Sequence, residues 1–219
     1  MDESDLPKRQ RVLQRGGSRI RRDRESWQLT ARDCRKLIDA SRAAWFARMP
    51  MNRFITISWG LGGIDARHSV TQTGRFVRLA REWVQARGHP MPWAWVQEAG
   101  PRLGAHCHML LHVPHEYEPL FRTMPLRWAK SLAAGRYVAG MIESQRLPAA
   151  HSSNAGLYEA QLMGKLHYML KCAPAAMENE LNMMPWRRKP WGQSCLVHGK
   201  RAGVWQGWQT WLTGGDQFS

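Results

Sequence analysis

His106 and His108 lie one residue apart in Gly104-Ala105-His106-Cys107-His108-Met109-Leu110-Leu111-His112-Val113-Pro114. Side chains at i and i+2 of a β-strand project from the same face, so two such imidazoles can share one metal ion. The stretch reads as a strand of this kind. Ala105, Cys107, Met109, Leu111 and Val113 make an apolar face, and His106, His108, Leu110 and His112 make the other. Trp93-Ala94-Trp95-Val96-Gln97-Glu98 reads as the preceding strand, rich in aromatic and β-branched residues. Between them, Gly100 and Pro101 supply a turn. A hairpin symmetric about Arg102 pairs Glu98 with His106 and places the carboxylate beside both imidazoles; a bulge in the loop would undo that parity. One carboxylate and two imidazoles suit Mn²⁺, Mg²⁺ or Zn²⁺ and leave positions open for substrate oxygens.

A second chemical group lies downstream. Gly156 to Ala173 is expected to be a helix that Pro174 ends. Leu162, Met163, Leu166, Met169, Leu170 and Ala173 form its packing side, while Gln161, Lys165, Tyr168 and Lys171 recur at three- and four-residue steps along another. A tyrosine that reaches a metal-held phosphate can attack it, and Tyr168 is the candidate nucleophile. A phenol ionises near pH 10, so the attack needs help at neutral pH. A metal drains charge from the phosphate, and the Lys171 ammonium, one helical turn from Tyr168, stabilises phenolate or phosphate charge. Phenolate also leaves well, so a phosphotyrosine bond conserves energy and can be resealed.

Together, His106-Cys107-His108 in a strand, Glu98 upstream and Tyr168-Met169-Leu170-Lys171 downstream resemble the HUH endonucleases, whose members include rolling-circle replication initiators, single-strand transposases and relaxases. Phe54 to Trp59 is similar to the first strand motif of the initiators. The likeness spans roughly Arg53 to Ala173 and implies a ferredoxin-like antiparallel sheet. It also implies Mg²⁺- or Mn²⁺-dependent cleavage of single-stranded or hairpin origin DNA, with a 5′-phosphotyrosine intermediate and a free 3′-OH. Host helicase and polymerase would be partners, because the chain carries no phosphate-binding loop of its own. The third ligand of such a site varies; His112 is an alternative to Glu98, but lies about 13 Å along a strand from His108. Tyr158 is about 15 Å along the helix from Tyr168, which points to a single-tyrosine enzyme with Tyr158 structural. The alternatives are a transposase or relaxase of the same chemistry, or a non-catalytic nucleic-acid-binding module with an inert His/Glu cluster.

These groups need a scaffold. The chain of 219 residues is long enough for one sizeable core with appendages. It carries a formal net charge of +15, which points to a polyanionic partner such as DNA. Arg53, Lys165, Arg187, Arg188, Lys189, Lys200 and Arg201 are candidate phosphate contacts. Long apolar runs and an apolar signal-peptide core are absent from the sequence, so a cytoplasmic protein of a bacterial cytoplasm or nucleoid, with no membrane contact, is expected. The four cysteines form no Cys-x-x-Cys pair, which argues against a zinc ribbon or finger.

Residues 1–26 read as a basic flexible arm, 27–50 as an N-terminal helical extension capped at Thr30, 51–175 as the catalytic domain, and 176–219 as a Trp-rich basic segment packed on that domain. Within 51–175 the expected order is a strand at 53–59, a glycine-rich flexible loop at Gly60 to Gly63, a helix from Thr71 to Arg87, the hairpin, a broken helix from Tyr117 to Ala134, a possible strand at 136–142, and the Tyr168 helix. That order implies an α+β fold of the split βαβ type, an antiparallel sheet covered by helices.

Overall fold

The computed structural model describes residues 24–177, 179–181 and 196–213. The arm through residue 23, and Arg187, Arg188 and Lys189, lie outside the described residues. The elements in chain order are β1 (Glu25–Ser26), α1 (Ala31–Phe46), β2 (Arg53–Ser58), α2 (Ala66–Gln85), β3 (Trp93–Gly100), β4 (Gly104–Leu111), α3 (Glu118–Phe121), α4 (Met124–Ala133), β5 (Ile142–Arg146), α5 (Ala155–Met169), β6 (Val197–His198), β7 (Ala202–Val204) and α6 (Gln209–Thr213). The main sheet is antiparallel throughout, with strand order β5-β2-β4-β3-β7. The run β2-α2-β3-β4-α3/α4-β5 therefore interleaves two βαβ units, as in a split βαβ fold. The fold is α+β, as the sequence led us to expect. Among the described residues, no helix is long and apolar enough to cross a membrane.

Both faces of the central strands β2, β3 and β4 are buried. On one, Ile55, Ile57, Trp95, Cys107, Met109 and Leu111 pack against Phe76, Val77, Ala80 and Val84 of α2 and against Trp128 of α4. On the other, Phe54, Ala94, Val96 and Leu110 pack against Leu37, Ala40 and Ala44 of α1 and Leu162, Leu166, Met169 and Leu170 of α5. The strand alternation that separates His106 and His108 from Cys107 and Met109 thus separates two cores, not a core from solvent. The N-terminal helix is accordingly a full layer of the fold. It starts where expected: the Thr30 hydroxyl oxygen accepts a hydrogen bond from the Asp33 amide (3.1 Å), and the Asp33 carboxylate accepts one from the Thr30 amide (3.4 Å), a reciprocal cap. Among the described residues of the C-terminal segment, β7 extends the sheet at β3, and the Trp205 indole donates to the Ala40 carbonyl (3.1 Å).

Three expectations change. The strand expected at 136–142 begins only at Ile142, because Ala134 and Gly135 turn the chain left-handed (φ +48° and +83°) and Gly140 turns it again (φ +81°). The glycine-rich loop after β2 is a 3₁₀ turn, Trp59–Gly62, held tightly against the hairpin: a Cβ on Gly60 would stand 2.7 Å from Gly104 Cα. The last helix of the split fold is shorter than expected. α5 ends at Met169, since Pro174 has no amide to offer the Leu170 carbonyl and its ring collides with that carbonyl in a continuing helix.

Candidate metal centre and nucleophile

The hairpin turns at Pro101-Arg102-Leu103 without a bulge, and Glu98 is paired with His106. Their side chains, with that of His108, share the face that α1 and α5 cover. Glu98 Oε2 lies 3.2 Å from His106 Nε2 and 3.6 Å from His108 Nε2, and all three residues are buried. The far sides of both rings are also held. His106 Nδ1 lies 2.9 Å from the Gly104 carbonyl, and His108 Nδ1 lies 2.9 Å from Thr56 Oγ1, its register partner on β2. A carbonyl only accepts, so the His106 Nδ1 carries hydrogen and its Nε2 turns a lone pair, or a second proton, toward an anionic carboxylate. Gly104 aims that carbonyl from a left-handed backbone (φ +60°) against Gly60.

Such an arrangement calls for positive charge between the ring nitrogens and the carboxylate. Lys171 supplies some of it, with its ammonium 2.6 Å from the same Glu98 oxygen. Burial pushes the Glu98 carboxyl up, but the two imidazoles and the Lys171 charge outweigh it and hold the group well below the usual carboxylate range. Burial pushes the His108 imidazole below its ordinary value, favouring the neutral ring that ligates metals. Within this cluster, Glu98 Oε1 and His108 Nε2 are buried with no hydrogen-bond partner among the described residues. Each such orphan costs on the order of 1–3 kcal/mol. Bonds of about 2.1 Å to one ion place neighbouring ligand atoms roughly 3.0–3.5 Å apart, close to the separations seen here. Glu98, His106 and His108 form a buried cluster that can hold a metal ion.

Tyr168 stands beside this cluster. Its ring centroid is 4.8 Å from that of His108 and 6.1 Å from that of Phe54, edge to face in both cases. The Lys171 ammonium lies 4.2 Å from the Tyr168 ring centre. Lys171 is not on the helix, as the expected end at Ala173 required; it lies in the turn beyond α5 and spans from the tyrosine to Glu98. Tyr168 also lines an open cleft of roughly 610 Å³ between α5 and β5, with Phe54, Thr56, Gln145 and Lys165 on its walls. The cleft gives the tyrosine an approach that the buried ligands lack. Tyr158 is buried, stacks on Trp45 with centroids 4.6 Å apart, and donates to the Met51 carbonyl (3.3 Å), so its place is structural.

Of the candidate phosphate contacts, the structure corrects two. Arg53 is buried and paired with Glu118 (2.9 Å), on the opposite face of β2 from Thr56. Arg201 is buried too, and donates to the Ser26 carbonyl (2.5 Å), where it secures β1. Lys165 is half-buried in the cleft and donates to Gln145 Oε1 (2.6 Å). Lys200 is exposed, 5.7 Å from the Trp95 ring centre. His112, the alternative ligand, lies past the end of β4 and is held on the Pro50 carbonyl (2.8 Å). Sequence reasoning missed Thr56 and Gly104, which orient the two imidazoles. A hydroxyl at an alternate position of the otherwise apolar Phe54-Ile55-Thr56-Ile57 was the available signal for the first.

No family model, curated protein or solved structure gave a match to this chain. The case for a class of chemistry therefore stands on the residues and their geometry alone.

Proposed function

We propose that the protein nicks and rejoins single-stranded DNA in the manner of the HUH endonucleases, with Tyr168 as nucleophile and a divalent ion, Mg²⁺ or Mn²⁺, held by Glu98, His106 and His108. The observation that carries this reading is the convergence of both Nε2 atoms on Glu98 Oε2 with the Tyr168 ring 4.8 Å from His108. When bound, the ion supplies Lewis-acid polarisation of the scissile phosphodiester. The Tyr168 oxygen forms a bond to phosphorus as the bond to the 3′-oxygen breaks. The phenol loses its proton and the departing 3′-oxygen gains one, which leaves a 5′-phosphotyrosine and a 3′-OH; the reverse step reseals the strand. Lys171, placed between Tyr168 and Glu98, stabilises the anionic charge of the phenolate. Lys165 and Gln145 line the path along which an unpaired strand reaches Tyr168.

One observation favours a second reading. The Lys171–Glu98 contact at 2.6 Å is also what a closed ionic cluster in a non-catalytic nucleic-acid-binding module would contain. Incubation with labelled single-stranded DNA and Mn²⁺, followed by mass spectrometry of the protein, separates the two. The nickase reading expects an oligonucleotide on Tyr168 that chelator and Tyr168→Phe abolish while binding persists. Binding without any adduct across a set of hairpin and linear oligonucleotides would favour the module.

A further inference from the structure

The outward face of α2 carries Arg67, Arg75, Arg78 and Arg81, all exposed. At about 100° per residue they fall within roughly 120° of arc, opposite the buried Ser69, Thr73, Phe76, Ala80 and Val84. Arg67 and Arg81 are about 21 Å apart along the axis. α4 packs beside α2 and adds the exposed Arg127 and Lys130. Opposing charge is sparse. α2 contains one acid, Glu82, which is 3.8 Å from Arg78, and α4 contains none. Asp65 is occupied as the cap of α2, where it accepts a hydrogen bond from the Arg67 amide (2.6 Å). Like charges crowded on one helix destabilise it, so stability does not account for the stripe.

We propose that this face docks the phosphate backbone of double-stranded DNA, on the side of the sheet away from Glu98. The face matches a duplex better than an unpaired strand for a physical reason. Proteins hold unpaired bases by stacking them on exposed aromatic rings. Among the described residues of α2 and α4 no Phe, Tyr or Trp side chain is exposed: Trp83 and Trp128 are at least half-buried, and the Arg87 guanidinium covers the Trp83 ring at 3.6 Å. Rings meet a cleft instead at Phe54 and Tyr168, across the sheet. A straight row of guanidinium groups on a rigid helix suits the regular backbone of a duplex, which presents about one charge per 1.7 Å of its axis. The inference rests on the α2 surface and stands whether or not Tyr168 attacks DNA.

The test compares two triple variants with equal charge change in the full chain: Arg67→Gln/Arg75→Gln/Arg81→Gln on α2, and Arg32→Gln/Arg42→Gln/Arg48→Gln at exposed positions on and just after α1. Affinity for a 20-base-pair DNA duplex of arbitrary sequence, roughly two helical turns, is measured by fluorescence anisotropy over a salt series. The α2 triple is expected to bind roughly ten-fold or more weakly, and to lower the log–log salt slope by about 2–3, near 0.9 per lost phosphate contact. The α1 triple is expected to stay close to wild type, and any adduct at Tyr168 on a short unpaired oligonucleotide is expected to form equally in all three proteins. Equal losses in both triples would show a response to net charge only and would overturn the proposal. So would an unchanged duplex affinity in the α2 triple, including one accompanied by lost binding to phosphatidylserine vesicles.

Discussion

Glu98 and Glu118 are both buried carboxylates with histidines nearby, and the two are satisfied in opposite ways. Glu118 Oε2 accepts from Arg53 (2.9 Å) and Arg146 (2.8 Å), while Oε1 accepts from Asn52 (2.9 Å) and meets His151 at 2.5 Å. Its acceptor sites are filled, and its two arginines outweigh its charge. With His115 it is close enough for three ligand atoms to meet, yet a cation there would face two guanidinium groups. Around Glu98, by contrast, three groups crowd one oxygen while the other oxygen and one imidazole nitrogen lack partners among the described residues. The lesson is that histidine and carboxylate together do not define a metal centre. The decision lies in which lone pairs remain unused and in what charge already surrounds them.

Several substitutions can break or sharpen this contrast. The largest effect is expected at the Glu98 cluster: His108→Ala should lower metal-dependent adduct formation by roughly a thousand-fold or more, whereas Glu118→Gln should leave adduct yield per folded molecule near wild type. Equal losses would erase the distinction. Next in size, Glu118→Ala leaves the buried Arg53 uncompensated and should lower the unfolding free energy by about 3–5 kcal/mol, as read by urea titration. Glu98→Gln should also lower it, because it removes the anion that both imidazoles and Lys171 hold in its charged form. At the next level, Thr56→Val removes the group that orients His108 and should weaken Mn²⁺ binding by about 10- to 100-fold in calorimetry, with little change in melting temperature.

The smallest effect concerns pH. Burial holds the folded-state pKa values of His108 and His112 below their ordinary value. The unfolded chain therefore takes up protons first as pH falls. Stability from these groups is fully present above about pH 6.5 and is lost progressively below it. Glu98, held low, adds a loss of the same sign in stronger acid, as pH falls below its unfolded value. The melting temperature in metal-free buffer should thus decline between about pH 7 and 5. A rise over that window would contradict the assigned neutral imidazoles.

Much of the Glu98 centre was legible in the sequence because strands have a period of two and this hairpin has no bulge; His106, His108 and Glu98 share a face by parity alone. The same parity places Arg53 with Ile55 and Ile57, away from Thr56, so its exclusion from the site was readable as well. The covering of the His face was not. Whether α1 packs there depends on tertiary contacts such as Leu37 and Ala40 against the sheet, which leave no local mark beyond an apolar stripe. Nor was the placement of Lys171 legible, since it follows from where Pro174 stops the helix. The Glu118 cluster draws its members from β2, α3, β5 and the loops beside them, and no spacing in the chain announces it.

The central claim is that Glu98, His106 and His108, and not the Glu118 cluster, hold the metal. Anomalous diffraction from crystals grown with Mn²⁺ tests it most directly. The expected result is one strong peak bonded to His106 Nε2, His108 Nε2 and a Glu98 oxygen, with the Lys171 ammonium displaced and Tyr168 facing the ion. A peak at His115, Glu118 and His151, or a Glu98 that keeps Lys171 and binds nothing at saturating Mn²⁺, would contradict it.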